Sequence, residues 1–434
     1  MTSVDVYDPN ELLERPLLEQ LQLQRLRCTI EQAARSPYYG KLFADLKLDP
    51  ESLQGLDDLR RFPFTEKQHL RDGYPYGLLA VPKAEVVRMH HSSGTTGMAT
   101  AVFHTAGDID RWADLVARCL YMIGMRKGDV FQNMMTYGLF TGGLGLHYGA
   151  EKLGAFVIPT GAGNSRRQIQ FMQIFETTAV HIIPSYALAL LAAFEQMNVD
   201  PKSLSLRLAV GGAEPYSEGM RERLQEAWGI PFYNCYGLSE MQGPGVAFEC
   251  AEQHGLHLWE DAYLAEIIDS ETGDRVPDGQ EGELVLTSLT REAMPLIRYR
   301  TRDLSSFISA PCACGRTHRR LTRIQGRADD MLIVRGVNIF PLQIERVLMS
   351  MPEVGHSYLI VIGRDGLVDR LTVRVELTPE TFKGDLAHLR DIQDRLTDAL
   401  REEILVRPRV ELLEPGAIPR QEGKAVRVVD ERDK

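Results

Sequence analysis

The sequence predicts an α/β protein that combines a large composite N-terminal domain with a small α+β domain at the C-terminal end. Three observations lead to this fold class. From Val86 onward, short apolar runs alternate with helical stretches, which is typical of βαβ units and mostly parallel sheets. After Tyr263, apolar runs instead pair around turns, which predicts a β-rich subdomain. Beyond Arg327, a run with period-two spacing precedes a helical one, as in a compact α+β domain.

The elements of the N-terminal domain, residues 1–328, are predicted in chain order. Leucines at helical spacing before Pro37 predict an amphipathic helix that lies on a core. Buried strands are predicted where apolar runs stand between amphipathic helices. These runs cover residues 130–135, 155–159, 180–184, 206–211 and 232–235. Strands at 263–268 and 283–288 flank a turn, so the β-rich subdomain is placed at about 262–325.

The C-terminal domain is predicted over residues 329–434, a common size for a domain. Apolar residues alternate with period two from Leu371 to Leu377, which predicts a strand. From Leu386 to Ile404 they follow helical spacing. We therefore expect a domain boundary close to residue 329.

Composition and charge exclude several classes of protein. Of the 434 residues, 44% are hydrophobic and 25% are charged, as in a globular chain rather than a disordered or fibrous one. The apolar stretches fall short of the ~20 residues that a bilayer span needs, and the N-terminus is acidic where a signal peptide is basic, so a cytoplasmic protein is expected. A net charge of −11 argues against nucleic acid as a partner.

The most informative segment is Ser92-Ser93-Gly94-Thr95-Thr96-Gly97, which directly follows a run with strand character, Val86 to His91. Its hydroxyls and backbone N–H groups offer donors to an anion, and its glycines allow close approach. The segment could cradle a polyphosphate, although it matches neither the Walker A pattern nor the G-x-G-x-x-G fingerprint. Taken alone, it is also compatible with a polar turn between a strand and a helix.

Four further motifs follow in order along the chain. They are Gly211-Gly212-Ala213-Glu214-Pro215, Tyr236-Gly237-Leu238-Ser239-Glu240, Tyr299-Arg300-Thr301-Arg302-Asp303 and Gly326-Arg327-Ala328-Asp329-Asp330. In order and approximate spacing, the five motifs resemble the acyl-adenylate-forming superfamily of acyl-CoA synthetases, adenylation domains and luciferases. Segments 147–151, 255–261 and 335–341 resemble the phenylacetate-CoA ligase family specifically. The resemblance extends from about residue 10 to about residue 430.

The resemblance implies a role for each motif in joining a carboxylate to the α-phosphate of ATP. Residues 92–97 would hold the β- and γ-phosphates, and Glu240 would bind Mg²⁺, a hard cation that prefers oxygen ligands. Asp303 would accept hydrogen bonds from both ribose hydroxyls. Gly212, Ala213, Glu214, Pro215 and Tyr236 would line the adenine slot. The remaining expected nucleotide-binding residues are Gly237, Ser239 and Arg327.

Lys424 matches the superfamily lysine that bridges the carboxylate and the α-phosphate, and together with Glu240 it is the predicted catalytic residue. It lies far along the chain from the phosphate loop. The resemblance therefore implies a mobile C-terminal domain that brings Lys424 in for adenylation and withdraws it for thioester formation. Asp329 matches the hinge residue, and Arg335 and Gly336 are expected on the CoA side.

Met98 departs from the family pattern, because many relatives carry Lys or Arg directly after the phosphate loop. A methionine cannot neutralise pyrophosphate, so ATP affinity would depend on the loop amides and hydroxyls, with Arg420 as a further source of charge. The departure motivates an alternative from a different class, a nucleotide-binding homologue without turnover.

The acid-binding pocket is predicted from two aromatic residues and several small ones. The segment 137–143 resembles the family's acid-side loop, in which Tyr137 and Phe140 could sandwich a flat ring. Three residues of neighbouring motifs complete the predicted lining: Ala213, Cys235 and Pro244. Both aromatics are also compatible with core positions of a βα unit. Because no Lys or Arg is evident in the pocket, a ring with a second carboxylate is disfavoured.

A metal site is predicted from four residues outside these motifs. Cys312 and Cys314 lie on a loop rich in Pro and Gly, and Cys250 precedes His257 by seven residues. Three thiolates and one imidazole would complete a tetrahedral structural Zn²⁺ site. Two other histidines, His254 and His318, are alternatives to His257. The competing interpretation is a set of free buried thiols.

The sequence therefore predicts an ATP- and Mg²⁺-dependent, AMP-forming acid:CoA ligase. Its substrate is expected to be phenylacetate or a similar aryl acid, which passes through an enzyme-bound acyl-adenylate before CoA displaces AMP. A ligase for another small acid, such as a benzoate, an indole acid or a short hydroxy acid, remains an alternative. Members of the resembled family commonly dimerise, so a homodimer is expected.

Overall fold

Helices and strands alternate along most of the chain in the computed structural model, which describes residues 4–49, 52–91, 100–328, 330–365, 368–382, 386–419 and 426–432. The α-helices are α1 (Arg15–Ala33), α2 (Pro37–Leu46), α3 (Lys67–Asp72), α4 (Ala106–Met122), α5 (Thr141–Leu153), α6 (Ser165–Ile174), α7 (Pro184–Gln196), α8 (Glu218–Trp228), α9 (Pro341–Ser350), α10 (Pro379–Phe382) and α11 (Leu386–Ile404). Short 3-10 turns cover Pro9–Leu12, Leu56–Arg61, Lys83–Glu85, Pro201–Ser203 and Ser239–Met241. A search of the described helices finds none with the length and apolar character of a membrane span.

The described strands form five sheets. Residues 4–328, here called the body, contain β1 (Arg88–His91), β2 (Ala101–His104), β3 (Val130–Asn133), β4 (Phe156–Ile158), β5 (Ala179–Ile182), β6 (Leu208–Gly211), β7 (Phe232–Leu238), β8 (Gly243–Glu249), β9 (Leu256–Leu258), β10 (Tyr263–Ile268), β11 (Gly282–Ser288), β12 (Tyr299–Ser305), β13 (Phe307–Ile308), β14 (Arg320–Leu321) and β15 (Gly326–Arg327). Residues 330–432, the C-terminal unit, contain β16 (Leu332–Val334), β17 (Val337–Ile339), β18 (Val354–Asp365), β19 (Val368–Leu377), β20 (Arg409–Leu413) and β21 (Val428–Asp430).

Local sequence signals determine where several helices begin and end. Ser36 precedes α2 and its hydroxyl accepts a hydrogen bond from the Tyr39 N–H. At the start of α4, Thr105 accepts from the Asp108 N–H and the Asp108 carboxylate accepts in return from the Thr105 N–H, which completes a capping box. α5 ends at Gly154, whose φ of +87° suits a residue without a Cβ.

The largest sheet of the described chain has nine strands in the order β13-β14-β9-β8-β7-β6-β5-β3-β4. The strands from β4 to β7 run parallel, and those from β7 to β13 run antiparallel. The parallel half confirms the predicted α/β class. The antiparallel half was not predicted, because β8 begins Gly243-Pro244-Gly245, a composition typical of a turn.

The predicted β-rich subdomain corresponds in part to a four-stranded sheet of described strands in the order β10-β11-β12-β15. β10 and β11 pair antiparallel from Tyr263 opposite Ser288 to Ile268 opposite Glu283. β13 and β14 lie within the same stretch of sequence, but β14 pairs with β9 and β13 pairs with β14, so both extend the nine-stranded sheet. Each of these two strands has two residues, too short for a period-two pattern to indicate its sheet.

The C-terminal unit is built on a sheet in the order β20-β19-β18-β21, as far as its residues are described. The predicted strand and the predicted long helix are present as β19 and α11. In the present orientation this unit is packed on the body. Buried Met220 and Leu224 of α8 share one hydrophobic core with Ile344 and Leu348 of α9.

Candidate active site

The motif residues gather at one edge of the nine-stranded sheet. Gly212 directly follows β6, Tyr236 lies near the end of β7, and Glu240 lies in the 3-10 turn that follows β7. Because β5, β6 and β7 are parallel, their carboxyl ends meet at this edge, which is where open α/β sheets bind ligands.

Asp303 of β12 faces Tyr236 at this edge. The Tyr236 hydroxyl donates a hydrogen bond of 2.6 Å to Asp303 Oδ2, and Arg327 Nη1 lies 3.6 Å from Asp303 Oδ1. Burial and the Asp303 carboxylate raise the pKa of Tyr236, so its hydroxyl remains a donor at neutral pH. Three predicted nucleotide residues thus lie together in space although they are widely separated in sequence.

Glu240 is a buried carboxylate, only 5% exposed, in the 3-10 turn after β7. Its Oε1 lies 3.5 Å from the Thr100 hydroxyl and 3.5 Å from Lys67 Nζ. Thr100 is the first described residue after the predicted phosphate loop, so Glu240 lies close to the point at which the described chain resumes. Burial and the neighbouring Glu240 raise the pKa of Tyr299, which is therefore a neutral hydroxyl in the same corner.

Lys67 is a site residue that the sequence analysis missed. It opens α3, which is more than 20 residues before the phosphate loop and belongs to none of the motifs. Its charge reaches Glu240 because α3 lies beside β12, to which Thr65 is joined by a bridge to Tyr299. The sequence carried no signal for this contact beyond a lysine at a helix start.

Close backbone contacts explain several small residues of the motifs. A Cβ on Gly237 would lie 1.8 Å from the Gly243 oxygen of the neighbouring strand, so β7 and β8 can approach only without a side chain there. A Cβ on Gly212 would lie 2.5 Å from Cys235 Sγ. Ala213 adopts a φ of +72°, a conformation uncommon for a residue with a Cβ, where the chain leaves β6.

Two predicted nucleotide residues have side chains engaged by the protein itself. Glu214 Oε1 accepts a hydrogen bond of 2.7 Å from the Ser185 N–H at the start of α7, where a helix favours negative charge. Burial raises the pKa of Glu214, and Arg427 of the C-terminal unit opposes this shift. The Ser239 hydroxyl lies 3.4 Å from the Thr141 hydroxyl. Pro215 is exposed in the loop between β6 and α8.

The predicted acid pocket contains a polar network around Tyr137. The Tyr137 oxygen accepts from Asn133 Nδ2 at 2.9 Å and lies 3.2 Å from His147 Nδ1. Asn133 Nδ2 also donates to the Gly143 carbonyl, which fixes the amide so that Asn133 Oδ1 accepts from His181 Nδ1 at 3.0 Å. Burial lowers the pKa of His181 to about 3, so this imidazole is neutral. The network thus fixes the side chains of Asn133 and His181 beside Tyr137.

Of the other predicted pocket residues, Phe140 is 45% exposed and precedes α5. The Pro244 carbonyl accepts a hydrogen bond of 2.8 Å from the buried Trp112 indole. Burial raises the pKa of Cys235 to about 12, so it is a neutral thiol. Asn133 and His181, which join this network, were not predicted from the sequence. The sequence signal that could have indicated them is a polar residue at the carboxyl end of an apolar strand.

Arg335 and Gly336 form the tight turn between β16 and β17 in the C-terminal unit. Their φ angles are +52° and +77°, and Arg335 Nε donates to the Asp369 carbonyl at 2.8 Å. This hairpin is the place of the predicted CoA-side residues.

Several predicted residues lie outside the described part of the chain. They are the phosphate-loop residues Ser92, Ser93, Gly94, Thr95, Thr96 and Gly97, the neighbouring Met98, the hinge residue Asp329, Arg420 and Lys424. The described residues on either side of Lys424, Pro419 and Val426, line a cavity together with Ser185 and Ala189 of α7.

The four predicted zinc ligands form a cluster at the tips of two hairpins. The ligand atoms of Cys250, His257, Cys312 and Cys314 all lie within 4.8 Å of one another. Cys250 Sγ is 3.6 Å from Cys312 Sγ, and Cys314 Sγ is 3.3 Å from His257 Nε2. His254 is exposed, and His318 uses both ring nitrogens in hydrogen bonds to the Glu260 N–H and the Asn10 carbonyl.

Comparison with known families matches both parts of the chain. The family model described as AMP-binding enzyme matches residues 45–290, and the model described as AMP-binding enzyme C-terminal domain matches residues 336–432. The chain is 46% identical to a phenylacetate-coenzyme A ligase of Aromatoleum evansii, over 98% of this chain and 97% of the relative. It is 43% identical to a phenylacetate-coenzyme A ligase of Escherichia coli (strain K12), over 98% of each chain.

Solved structures of a 2-hydroxyisobutyryl-CoA ligase have the same fold. In the postadenylation state with an acyl-AMP, that ligase matches with a TM-score of 0.92 at 30% identity, over 98% of this chain and 91% of the other. In the thioesterification state with CoA, the TM-score is 0.72 at 31% identity, over 98% and 92% of the two chains. The present arrangement of body and C-terminal unit thus resembles the postadenylation state more closely. From the relatives and the family models together, the chain belongs to the phenylacetate-coenzyme A ligase family of AMP-binding enzymes.

Proposed function

We propose that this protein is an ATP-dependent, AMP-forming ligase that joins phenylacetate to CoA. The observation that carries the proposal is the corner in which Tyr236 donates to Asp303 and the buried Glu240 lies beside Thr100. It occurs in a chain that matches phenylacetate-coenzyme A ligases over 98% of its length.

In the first half-reaction, a carboxylate oxygen of the acid would attack the α-phosphorus of ATP and displace pyrophosphate. The residues would position two anions and offset their charge. Asp303 would hold the ribose hydroxyls, with its carboxylate oriented by Tyr236, and residues 212–215 would bind adenine. Glu240 would hold Mg²⁺, which supplies positive charge at the phosphates.

In the second half-reaction, the sulfur of CoA would attack the acyl carbon of the adenylate and AMP would leave. We propose that the C-terminal unit changes orientation between the two steps, with Asp329 as the hinge. Lys424 would bridge the carboxylate and the α-phosphate in the first orientation. Arg335 and Gly336 would reach the acid in the second.

Phenylacetate is the proposed acid because a neutral pocket suits its ring. Tyr137 and Phe140 offer aromatic surface, while Cys235 and His181 are uncharged at neutral pH. A short hydroxy acid is the second candidate, since the ligase with the TM-score of 0.92 is titled for 2-hydroxyisobutyryl-CoA. The polar network formed by Asn133, Tyr137 and His181 is compatible with a hydroxyl.

The proposal also covers cofactors, partners and location. Mg²⁺ would lie at Glu240, and a structural Zn²⁺ ion would lie away from the nucleotide, at Cys250, His257, Cys312 and Cys314. We propose a homodimer in the cytoplasm that binds small molecules and neither nucleic acid nor membrane, in keeping with the acidic net charge of −11.

The test separates the half-reactions. The protein is incubated with Mg²⁺-ATP and one acid at a time from phenylacetate, benzoate, indole-3-acetate and 2-hydroxyisobutyrate. Pyrophosphate is measured before CoA is added, and AMP and the thioester afterwards. We expect acid-dependent pyrophosphate release with the highest kcat/KM for phenylacetate. If folded protein released no pyrophosphate with any acid, it would be a nucleotide-binding homologue without turnover and the proposal would be rejected.

A further inference from the structure

The cysteine–histidine cluster has the composition and the arrangement of a closed metal site. Three thiols and one imidazole suit Zn²⁺ in tetrahedral coordination, and four protein ligands leave no position for a substrate. The His257 atom nearest Cys314 Sγ is Nε2, at 3.3 Å, so the imidazole already presents a ring nitrogen to the sulfurs. Binding would displace the thiol protons and draw the four ligand atoms together.

The cluster joins two loops that lie beside the short β9–β14 ladder. Cys250 lies at the turn after β8, and Cys312 and Cys314 lie on the cysteine loop, residues 309–319, between β13 and β14. β9 carries His257 opposite Arg320 of β14. A metal ion at this point would therefore fix the cysteine loop against the β8–β9 hairpin.

The far side of the cysteine loop binds the N-terminal segment, residues 4–14. The Thr317 N–H donates to the Glu11 carbonyl at 3.1 Å, and the Thr317 hydroxyl donates to the Leu13 carbonyl at 2.7 Å. His318 Nε2 lies 2.9 Å from the Asn10 carbonyl oxygen, to which it donates. These groups donate to the backbone carbonyls of Asn10 and Glu11 in the short 3-10 turn Pro9–Leu12, and to the carbonyl of Leu13, which follows that turn.

Arg316 connects the cluster to this segment electrostatically. Its Nε donates to Glu11 Oε2 at 2.6 Å, and its guanidinium also lies beside Cys314. Glu11 is fully buried, so its charge needs this partner. Zn²⁺ with three thiolates carries a net charge of about −1. The guanidinium of Arg316 would thus lie between two negatively charged groups, the zinc–thiolate site and Glu11, and would attract both.

We propose that Cys250, His257, Cys312 and Cys314 bind a structural Zn²⁺ ion that clamps the N-terminal segment onto the body through the cysteine loop, with Arg316 as the positioning residue. The inference rests on the proposed zinc site and not on the ligase reaction. It extends that site from a bound ion to the anchoring of residues 4–14. These residues in turn bind α4, where Arg118 bridges Asp8 and Asp261.

The metal is tested on the full-length protein purified without added zinc, by elemental analysis. We expect about one Zn²⁺ per chain, as in closed Cys₃His sites. The Cys314→Ser variant should lose most of it, and the matched Cys28→Ser control, which changes an exposed thiol, should keep it. Less than a few tenths of an equivalent in the folded unmodified protein would overturn the site, and so would a Cys250–Cys312 disulfide in its place. The zinc content of the unmodified protein tests the site even if Cys314→Ser fails to fold.

The clamp is tested by hydrogen–deuterium exchange before and after zinc is removed with a mercurial reagent and a chelator. We expect exchange of residues 8–13 to accelerate by about tenfold or more in the zinc-free protein, with α11 unchanged as an internal reference. Arg316→Gln should retain zinc yet show the same acceleration, whereas Arg319→Gln, whose side chain faces Asp278, should not. Unchanged protection of residues 8–13 in folded, zinc-free protein would overturn the clamp. No readout uses ATP, acid or CoA, so an inactive ligase would leave these results intact.

Discussion

At the scale of single residues, Lys67 supplies a positive charge beside Glu240 that the motifs do not contain. Its Nζ lies 3.5 Å from Glu240 Oε1, in the corner that also contains Thr100, the first described residue after the predicted phosphate loop. Met98 offers no charge after that loop. In the proposed reaction, Lys67 is therefore the described cation best placed to meet the phosphates of ATP.

Lys67→Met should raise the KM for Mg²⁺-ATP in pyrophosphate release by about tenfold or more, because a hydrogen bond to a charged group contributes roughly 1.5–3 kcal/mol. Lys67→Arg should recover part of the loss. Lys41→Met, at an exposed position of α2, serves as the control. Equal KM values for Lys67→Met and the control would show that the ammonium group does not contact ATP.

Tyr236 orients Asp303 through a buried hydrogen bond of 2.6 Å. Tyr236→Phe keeps the ring and removes the donor, so the carboxylate loses a partner worth roughly 1.5–3 kcal/mol. We expect a KM for ATP raised about tenfold, measured as acid-dependent pyrophosphate release, and a smaller change in the KM for phenylacetate. A variant in which only the KM for the acid rises would place Tyr236 in the acid pocket instead.

At the scale of elements, the pair β7 and β8 depends on a position without a side chain. Gly237→Ala would place a Cβ 1.8 Å from the Gly243 oxygen, so the two strands must separate. Overpacking of this kind typically destabilises a protein by about 1–3 kcal/mol. We expect a lower Tm in thermal unfolding than for Gly55→Ala, where a Cβ would meet nothing within 4 Å. Indistinguishable Tm values for the two variants would contradict the tight β7–β8 contact.

The helices and strands also show which parts of the fold could be predicted from sequence patterns. Apolar runs between helices located β3 to β7, because a strand buried on both faces must be apolar throughout. The antiparallel strand β8 was missed since Gly243 and Pro244 favour turns, and their place in a strand depends on packing against Trp112 and Thr141. The order of the motifs along the sequence led to Tyr236 and Asp303 as candidate nucleotide-binding residues. Lys67, Asn133 and His181 were not found as site residues, because only the fold brings them to the site.

At the scale of the whole molecule, the orientation of the C-terminal unit is held by buried polar contacts as well as by the shared core. Glu345 of α9 is 2% exposed. Its Oε1 accepts from the Ser217 N–H of the body at 2.8 Å, and its Oε2 accepts from the Tyr358 hydroxyl at 2.7 Å. Because Ser217 belongs to the body, the first contact exists only in this orientation.

Glu345→Gln should therefore disfavour the present orientation, since both carboxylate oxygens accept hydrogen bonds and one of them is replaced by an NH2 group, which only donates. A buried donor left without its acceptor costs roughly 1–3 kcal/mol, or about tenfold in population. We expect slower pyrophosphate release, with unchanged thioester formation from a supplied acyl-adenylate. Glu411→Gln, which contacts arginines within its own unit, is the matched control. Equal slowing of both half-reactions would contradict an effect on orientation.

Lys424 gives the sharpest test of two orientations, because the proposed mechanism needs it in one of them only. The described residues around it, Pro419 and Val426, lie against Ser185 at the start of α7, on the side of the sheet where β5 and β6 end. Lys424→Ala should slow pyrophosphate release by about a hundredfold or more, as when a charge that stabilises a transition state is removed. In this variant, a supplied acyl-adenylate should still react with CoA as fast as it does in the unmodified protein. Arg409→Ala, at an exposed position of the same unit, is the control and should leave this rate unchanged as well. Loss of both half-reactions in Lys424→Ala would mean that the lysine serves both steps, and the C-terminal unit would not need to turn between them.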